Sequence, residues 1–111
     1  TQAKTLFPYT TLFRSIEFEG EVRLWPANEK FYLLPLPTDI SADIFEISDG
    51  LTNGWGSLNV EARIGEVIWR TSIFPDSKLG VFELPLKLEV RKKNGLAVGS
   101  VTRAEIELLG F

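Results

Sequence analysis

One stretch of the sequence, from Gly54 to Pro75, constrains the fold most because its pattern predicts two β-strands joined by a tight turn. It reads GWGSLNVEARIGEVIWRTSIFP, and apolar and polar residues alternate on both sides of Gly65 and Glu66. A period of two places the apolar set on one face of each strand. Gly65 accepts a positive φ, which suits a two-residue type II′ turn. The stretch therefore predicts a half-buried β-hairpin.

A two-residue turn also fixes which residues of the hairpin lie opposite each other. We expect Ala62 to pair with Trp69 on the apolar face, and Glu61 to pair with Arg70 on the polar face. Opposite charges across a pair contribute roughly 0.2–1 kcal/mol, so the charge pattern and the apolar pattern support the same register. Because the neighbours of Trp69 on its face are apolar, we expect its indole to be substantially buried.

The first fifteen residues, TQAKTLFPYTTLFRS, differ from the rest because they contain no acidic residue. They resemble a translated sequencing-adapter peptide, so we predict a non-native leader at 1–15 and a single β-barrel domain at 16–111. The alternative is an edge strand, since residues 9–13 have good β propensity. Without Lys4 and Arg14, the remaining chain has ten basic and fifteen acidic residues and a net charge of −5. A domain this acidic is a poor general phosphate binder.

Composition excludes several kinds of chemistry. A chain of 111 residues, 44% hydrophobic and 24% charged, is long enough for one globular domain with its own core. It has no cysteine, which excludes disulfides and thiolate zinc sites, and no histidine, the commonest general base and metal ligand. No apolar run could span a membrane and no signal-peptide pattern is present, so the cytoplasm is the expected location. We expect no metal and no cofactor.

The alternation of apolar and polar residues predicts six short strands, at residues 16–24, 31–34, 58–64, 67–73, 81–84 and 102–108. Helical spacing and capping residues predict a short helix after Thr38, and the segment from Leu86 to Lys93 predicts one or two helical turns. We therefore predict a mainly β fold, a small closed β-barrel of about six strands with one or two short helices. A two-sheet sandwich is the alternative. Gly20 lies at an inward position of the first strand, where the strand bends or another backbone comes close.

The second half of the chain carries a specific series of motifs: WRTSIFP from Trp69, ELPLK from Glu83 and VRKKNGL from Val90. Together with FEGEV at 18–22 and LPLP at 34–37, they resemble a bacterial family of uncharacterised proteins, the domain of unknown function numbered nineteen-oh-five. The resemblance covers nearly all of 16–111 and implies a small β-barrel. Members sometimes accompany a bacteriocin-protection domain, which is not found in this sequence. The family has Gly-Asp before its last strand, where this chain has Gly99-Ser100, and it has no assigned catalytic residues to carry over.

No motif in the sequence indicates a reaction. The serines have neither a histidine nor a Ser-x-x-Lys partner, the glycines at 54 and 56 do not form a phosphate loop, and no carboxylate pair stands out by its spacing. We therefore expect a non-catalytic binding or interaction module. One alternative is an enzyme that uses carboxylates or an unseen cofactor. Another is a weak nucleic-acid binder through the basic Arg91–Lys93 patch, which the acidic balance of the domain disfavours.

The sequence offers one candidate ligand site. Lys87 and Arg91 are four residues apart, so they point the same way on a helical turn, and both follow the end of a predicted strand. Arg70 and Ser72 share the polar face of the hairpin and could reach the same opening. We hypothesise that these four residues bind a small anionic ligand or an acidic peptide segment, because guanidinium groups suit carboxylate and phosphate oxygens. The alternative is that Arg70 only neutralises Glu61, while the two residues of the helical turn are solvated.

Overall fold

The computed structural model describes residues 15–47, 56–76 and 78–109. These residues confirm the prediction of a mainly β fold with two short helices. In chain order the elements are β1 (Ser15–Glu21), β2 (Arg23–Trp25), β3 (Asn28–Pro35), α1 (Thr38–Ile47), β4 (Leu58–Ile64), β5 (Val67–Asp76), β6 (Val81–Leu86), α2 (Leu88–Asn94) and β7 (Val101–Leu108). The predicted leader, apart from Ser15, and the glycine-containing loop before β4, apart from Gly56, lie outside the described residues.

The hairpin of β4 and β5 has the predicted turn and register. Ala62 pairs with Trp69, and Glu61 pairs with Arg70. Gly65 has a φ of 60°, whereas no described residue other than glycine has a positive φ, and this combination distinguishes a type II′ turn from type I′. Trp69 is buried, with 6% of its surface exposed, as its apolar neighbours predict. Local sequence therefore determines this part of the fold.

The seven strands form one antiparallel sheet in the order β1-β7-β4-β5-β6-β3-β2. The sheet curls into an open half-barrel, so the prediction of a closed six-stranded barrel is wrong. It is also a single sheet and not the two sheets of a sandwich. β1 and β2 stand at the two ends of the order, where β1 pairs with β7 and β2 pairs with β3.

The difference in strand number arises at Val22. The sequence pattern predicts one strand over 16–24, but the structure divides it into β1 and β2 around this residue. The amide of Val22 donates to the carbonyl of Ser100 at 2.8 Å, and its carbonyl accepts the amide of Gly99 at 2.9 Å. These bonds hold Val22 against the turn before β7, at the point where the chain changes neighbours from β7 to β3. The alternation of apolar and polar residues shows which face of the sheet a side chain occupies, but not which strand lies beside it. The sequence pattern therefore does not show that the strand divides at Val22.

The predicted strands at 31–34 and 81–84 each end just before a proline, but in the structure both strands extend further. β3 includes Pro35, and β6 continues through Pro85 to Leu86. Proline removes one backbone donor but keeps its carbonyl and an extended conformation. Pro85 lies opposite Leu33 in the β3–β6 ladder, so the loss of a single donor does not end the pairing there.

One face of the curled sheet holds the apolar core, to which both helices contribute. α1 buries Ile40 and Ile44, and the Ser41 hydroxyl between them accepts the amide of Phe82 at 3.0 Å. This bond attaches α1 to strand β6. Because Ser41 is fully buried, its hydrogen bond avoids the cost of an unpaired polar group in the core.

Helix α2 confirms the prediction of one or two helical turns after β6. Val90 is buried in the core, and the side-chain amide of Asn94 donates to the carbonyl of Ile64 at 3.2 Å. Gly95 ends the helix in the left-handed conformation, which glycine adopts without a steric penalty. The C-terminal end of α2 is thereby fixed beside the β4–β5 turn.

Gly20 is the point at which β1 approaches β3. A Cβ atom added here would lie 2.6 Å from the carbonyl oxygen of Pro35. The absence of a side chain therefore permits a backbone contact that any other residue would disturb. The predicted close approach of another backbone at Gly20 is confirmed.

Candidate anion-binding site

The arginines of the described residues fall into two groups according to what they contact. Four of them contact a carboxylate: Arg23, Arg63, Arg70 and Arg103. Arg91 instead contacts two uncharged groups, the ring of Tyr32 and the carbonyl of Leu86. Within the described ranges, Arg91 is therefore the arginine whose charge no adjacent carboxylate offsets.

The position of Arg91 is set by one pair of residues in the sheet. Its guanidinium carbon lies 3.8 Å from the centre of the Tyr32 ring, and its Nε donates to the carbonyl of Leu86 at 3.2 Å. Tyr32 and Leu86 are direct partners in the β3–β6 ladder. A cation over an aromatic face is stabilised by roughly 0.5–2 kcal/mol, so the sheet holds this guanidinium in one place.

The two terminal nitrogens of Arg91 remain available for another partner. The described contacts of its side chain involve only the guanidinium face and Nε. Among the described residues that are not fully exposed, no buried side-chain nitrogen or oxygen lacks a hydrogen-bond partner. The Arg91 side chain is half-buried, and its two terminal nitrogens have no partner among the described residues.

Lys87 lies one helical turn before Arg91, as their spacing predicts. It is the N-cap residue of α2, and its carbonyl accepts the amide of Arg91 at 3.2 Å. Its Nζ is 3.7 Å from a carboxylate oxygen of Glu89, and both side chains are more than half exposed. Glu89 is also 3.7 Å from Lys93, so one acidic residue faces two lysines. Exposed pairs of this length contribute about 0–1 kcal/mol and exchange readily with a ligand.

Arg70 and Ser72 lie on the outer face of the hairpin, as predicted, and each contacts the neighbouring strand. The Nε of Arg70 is 3.8 Å from Glu61, and the arginine side chain is 75% exposed. The hydroxyl of Ser72 donates to the side-chain carbonyl of Asn59 at 2.9 Å. The expected neutralisation of Glu61 by Arg70 is therefore present, although a pair this exposed is weak.

The four predicted residues thus form two pairs, one on β5 and one on α2. The β5–β6 ladder runs from Asp76 to Phe74 on β5 and then ends, whereas β6 pairs with β3 from Glu83 to Leu86. If the spacing of that ladder continued, Arg70 would be level with Lys87. The described contacts join each pair to its own neighbours, and action of all four residues on one ligand stays a prediction.

A shallow depression of about 250 Å³ lies elsewhere, on the outer face of β1, β7, β4 and β5. The side chains that line it include three carboxylates and one arginine: Ser15, Glu61, Arg63, Ile68, Glu105 and Glu107. Glu105 contacts Arg63 and accepts the hydroxyl of Ser15 at 3.1 Å. The depression includes none of the four predicted site residues, and its carboxylates outnumber its single arginine, so it is unsuited to an anion.

The structure also contains a cluster that sequence analysis missed. Arg23 on β2 donates through Nε to Glu83 on β6 at 2.6 Å and through Nη2 to Asp76 on β5 at 3.1 Å. Glu83 is 5% exposed. The signal in the sequence was a lone acidic residue inside the apolar segment VFELPL, since a carboxylate buried in a strand needs a cationic partner. Its partner lies sixty residues away, and only the strand order identifies it.

Burial raises the pKa of the Glu83 carboxyl above its ordinary value of 4.5. The hydrogen bond and the charge of Arg23 oppose this shift, and the charge of Asp76 adds to it. Because Arg23 contacts both carboxylates, the cluster ties the edge strand β2 to β5 and β6. Its polar groups are directed at each other, which is the arrangement of a structural ion cluster.

Two further properties of the described residues bear on the site. They contain no group of three or more potential metal ligands arranged to hold a metal ion. No helix within them has the length and apolar character needed to cross a membrane.

The profile of the family described as Domain of unknown function (DUF1905) matches residues 18–106 of the chain. The chain belongs to the DUF1905 family. The matched range includes Lys87 and Arg91 on α2 as well as the complete β4–β5 hairpin, so the candidate site lies within the DUF1905 domain. No curated protein matches this chain. Because the description of DUF1905 assigns no activity, the function has to be argued from the side chains.

Proposed function

We propose that this DUF1905 domain is a non-catalytic binding module that holds an anionic group, of a small ligand or an acidic peptide segment, on helix α2. The observation that supports this most directly is the environment of Arg91, which contacts an aromatic ring and a carbonyl instead of a carboxylate. A guanidinium in that environment can still form charge-assisted hydrogen bonds through its two terminal nitrogens. Lys87 supplies a second positive charge one helical turn away.

The charge distribution of the chain makes α2 distinctive. The whole sequence has a formal net charge of −3, but the segment from Lys87 to Lys93 contains four basic residues and one acidic residue. The net negative charge of the chain therefore repels anions at long range, whereas the basic side chains at α2 attract them at short range. We expect modest affinity that weakens with added salt, because exposed charges are screened over about 10 Å at 0.1 M ionic strength.

Arg70 and Ser72 belong to the proposal as a second contact region on β5. Arg70 is largely exposed and, among the described residues, is held by a long contact to Glu61, so its guanidinium can turn towards a bound anion. A ligand with several carboxylates can contact both regions at once. We therefore favour an extended acidic peptide over a small anion.

The two other functions considered have weaker support. Glu83, whose pKa is raised by burial, would be the natural carboxylate of an enzyme, but Arg23 occupies it and it is only 5% exposed. Nucleic-acid binding would depend on the exposed lysines that follow Arg91, and the acidic remainder of the domain opposes it. We place the module in the bacterial cytoplasm as part of the same proposal.

The proposal is tested by titrating the isotopically labelled protein with a penta-glutamate peptide and following its amide resonances by NMR. We expect shifts at α2 and at the outer face of β5 that saturate, and a dissociation constant that rises with salt. The double variant Lys87→Ala/Arg91→Ala should weaken binding at least tenfold. Arg70→Ala and Ser72→Ala should each weaken it less, because they contact only the extended part of the ligand.

The matched control is Lys30→Ala/Lys78→Ala, which removes the same charge from exposed positions outside α2. It should bind the peptide within about twofold of the native protein. Equal losses in the two double variants would show non-specific attraction and refute a site at α2. Saturating binding to a single-stranded oligonucleotide, in place of the peptide, would support the nucleic-acid alternative.

A further inference from the structure

We infer that Tyr32 is a positioning residue that fixes Arg91 to receive a carboxylate on the end of its guanidinium group. The inference rests on the binding function proposed above and specifies its chemistry. It assigns a role to a tyrosine on β3 that lies far from α2 in sequence. It also names the ligand group as a carboxylate of an acidic peptide.

The geometry leaves one part of the guanidinium group free. The Tyr32 ring covers one of its faces at 3.8 Å, and the carbonyl of Leu86 occupies Nε on its side edge. The two terminal nitrogens form the remaining edge, and neither has a partner among the described residues. Two parallel N–H groups on that edge match the two oxygens of a carboxylate.

Tyr32 is the residue that makes this orientation stable. An arginine side chain has several rotatable bonds and loses conformational freedom when it is fixed by a ligand. Here the ring and the carbonyl that hold Arg91 belong to one cross-strand pair of the sheet, and the Tyr32 side chain packs against the core. The Arg91 side chain therefore loses its conformational freedom when the chain folds, before any ligand binds. A group that is already fixed in this way binds its ligand more tightly.

The separation of the two positive groups selects the kind of anion. Lys87 and Arg91 lie one helical turn apart, so their charges suit two separate carboxylates better than the oxygens of a single phosphate. The site presents one guanidinium edge and the ammonium of Lys87, which together suit neighbouring carboxylates on a peptide. A flexible lysine in place of Arg91 could not provide two parallel donors.

The test compares Tyr32→Leu, Tyr32→Phe and Arg91→Lys in the full-length chain, each first checked for a native amide spectrum. One measurement needs no ligand: the chemical shift and hydrogen exchange of the Arg91 Nε–H. We expect a ring-shifted, slowly exchanging signal in the native protein and in Tyr32→Phe, and a solvent-like signal in Tyr32→Leu.

The second measurement is the affinity for penta-glutamate, glutarate and inorganic phosphate at constant ionic strength. We expect the peptide to bind most tightly, Tyr32→Leu to weaken it about five- to tenfold, Tyr32→Phe to leave it within twofold, and Arg91→Lys to weaken it at least tenfold. Tighter binding of phosphate, or of glutarate, would overturn the assignment to a peptide carboxylate.

The two measurements separate this inference from the proposed function. If native protein binds the peptide and Tyr32→Leu binds it equally well, the positioning role is refuted and the binding module stands. If Arg91→Lys binds as the native protein does, the two-nitrogen contact is refuted. If the native protein binds none of the probes, the proposed function fails, and an unshifted Arg91 Nε–H signal would separately refute the contact with Tyr32.

Discussion

Gly20→Ala tests the contact that brings β1 against β3. The substitution adds one methyl group at a position where its carbon would lie 2.6 Å from the carbonyl oxygen of Pro35. The side chain of Leu34 would be 3.1 Å away and could rotate, but the carbonyl belongs to a strand that is paired with β6. The backbone of β1 or β3 therefore has to move.

The magnitude follows from two opposing effects. Overpacking of one methyl group in a tight contact costs about 1–3 kcal/mol. Replacement of glycine by alanine also lowers the conformational entropy of the unfolded chain, which stabilises the folded state by about 0.4–1 kcal/mol. We expect a net loss of about 1–2 kcal/mol in the free energy of unfolding. For a domain of this size, each 1 kcal/mol lowers the melting temperature by roughly 4–8 °C.

The assay is urea denaturation, followed by tryptophan fluorescence, together with a thermal melt. Glu21→Ala is the control, because it changes an exposed outer-face residue of the same strand and should stay within about 0.5 kcal/mol of the native protein. Equal or higher stability of Gly20→Ala would refute the close approach of the two backbones. Equal losses in both variants would show that any change in β1 is harmful and would refute the steric explanation.

Three further changes test other parts of the fold. Trp69→Ala should lower the free energy of unfolding by about 3–5 kcal/mol because the indole is buried, and a loss below about 1 kcal/mol would place it at a surface. Glu83→Gln should gain stability relative to the native protein in urea denaturation as the pH rises above 4.5. Folding raises the pKa of this carboxyl, so its contribution to stability is complete below its ordinary pKa of 4.5 and is lost as the pH rises through the pKa of the folded state. The opposite trend would show that Arg23 lowers the pKa of Glu83. The leader predicted at 1–15 includes Ser15, which is the first residue of β1, so its test is deletion of residues 1–14. This deletion should leave the melting temperature nearly unchanged, whereas a loss of several degrees would show that the leader is a structural strand.

Sequence patterns were sufficient wherever the structure depends on neighbours along the chain. A period of two and the conformational freedom of Gly65 predicted the register of the β4–β5 hairpin, including the pair of Ala62 and Trp69. The alternation also placed Gly20 on the inward face, where a close backbone contact was expected and is found. Helical spacing predicted that Lys87 and Arg91 lie one turn apart on α2.

Part of the candidate site could not be predicted, because it depends on residues that are distant from each other in the sequence. Lys87 and Arg91 were identified from their charge and spacing, but Tyr32, which holds the guanidinium group, is fifty-nine residues before Arg91 in the sequence. Nothing in the local pattern of β3 indicates a cation above its ring. The cluster of Arg23 with Glu83 likewise depends on strands that meet only in the folded sheet.

The sequence by itself determined the type of each element and the face on which each side chain lies, because both follow from backbone geometry over a few residues. Tertiary structure alone decided that the strand at 16–24 divides at Val22 and that the sheet remains an open half-barrel. The order of strands depends on hydrogen bonds between distant segments, which a local period of two does not encode. The same strand order placed Tyr32 beside Leu86 and thereby gave Arg91 its fixed position.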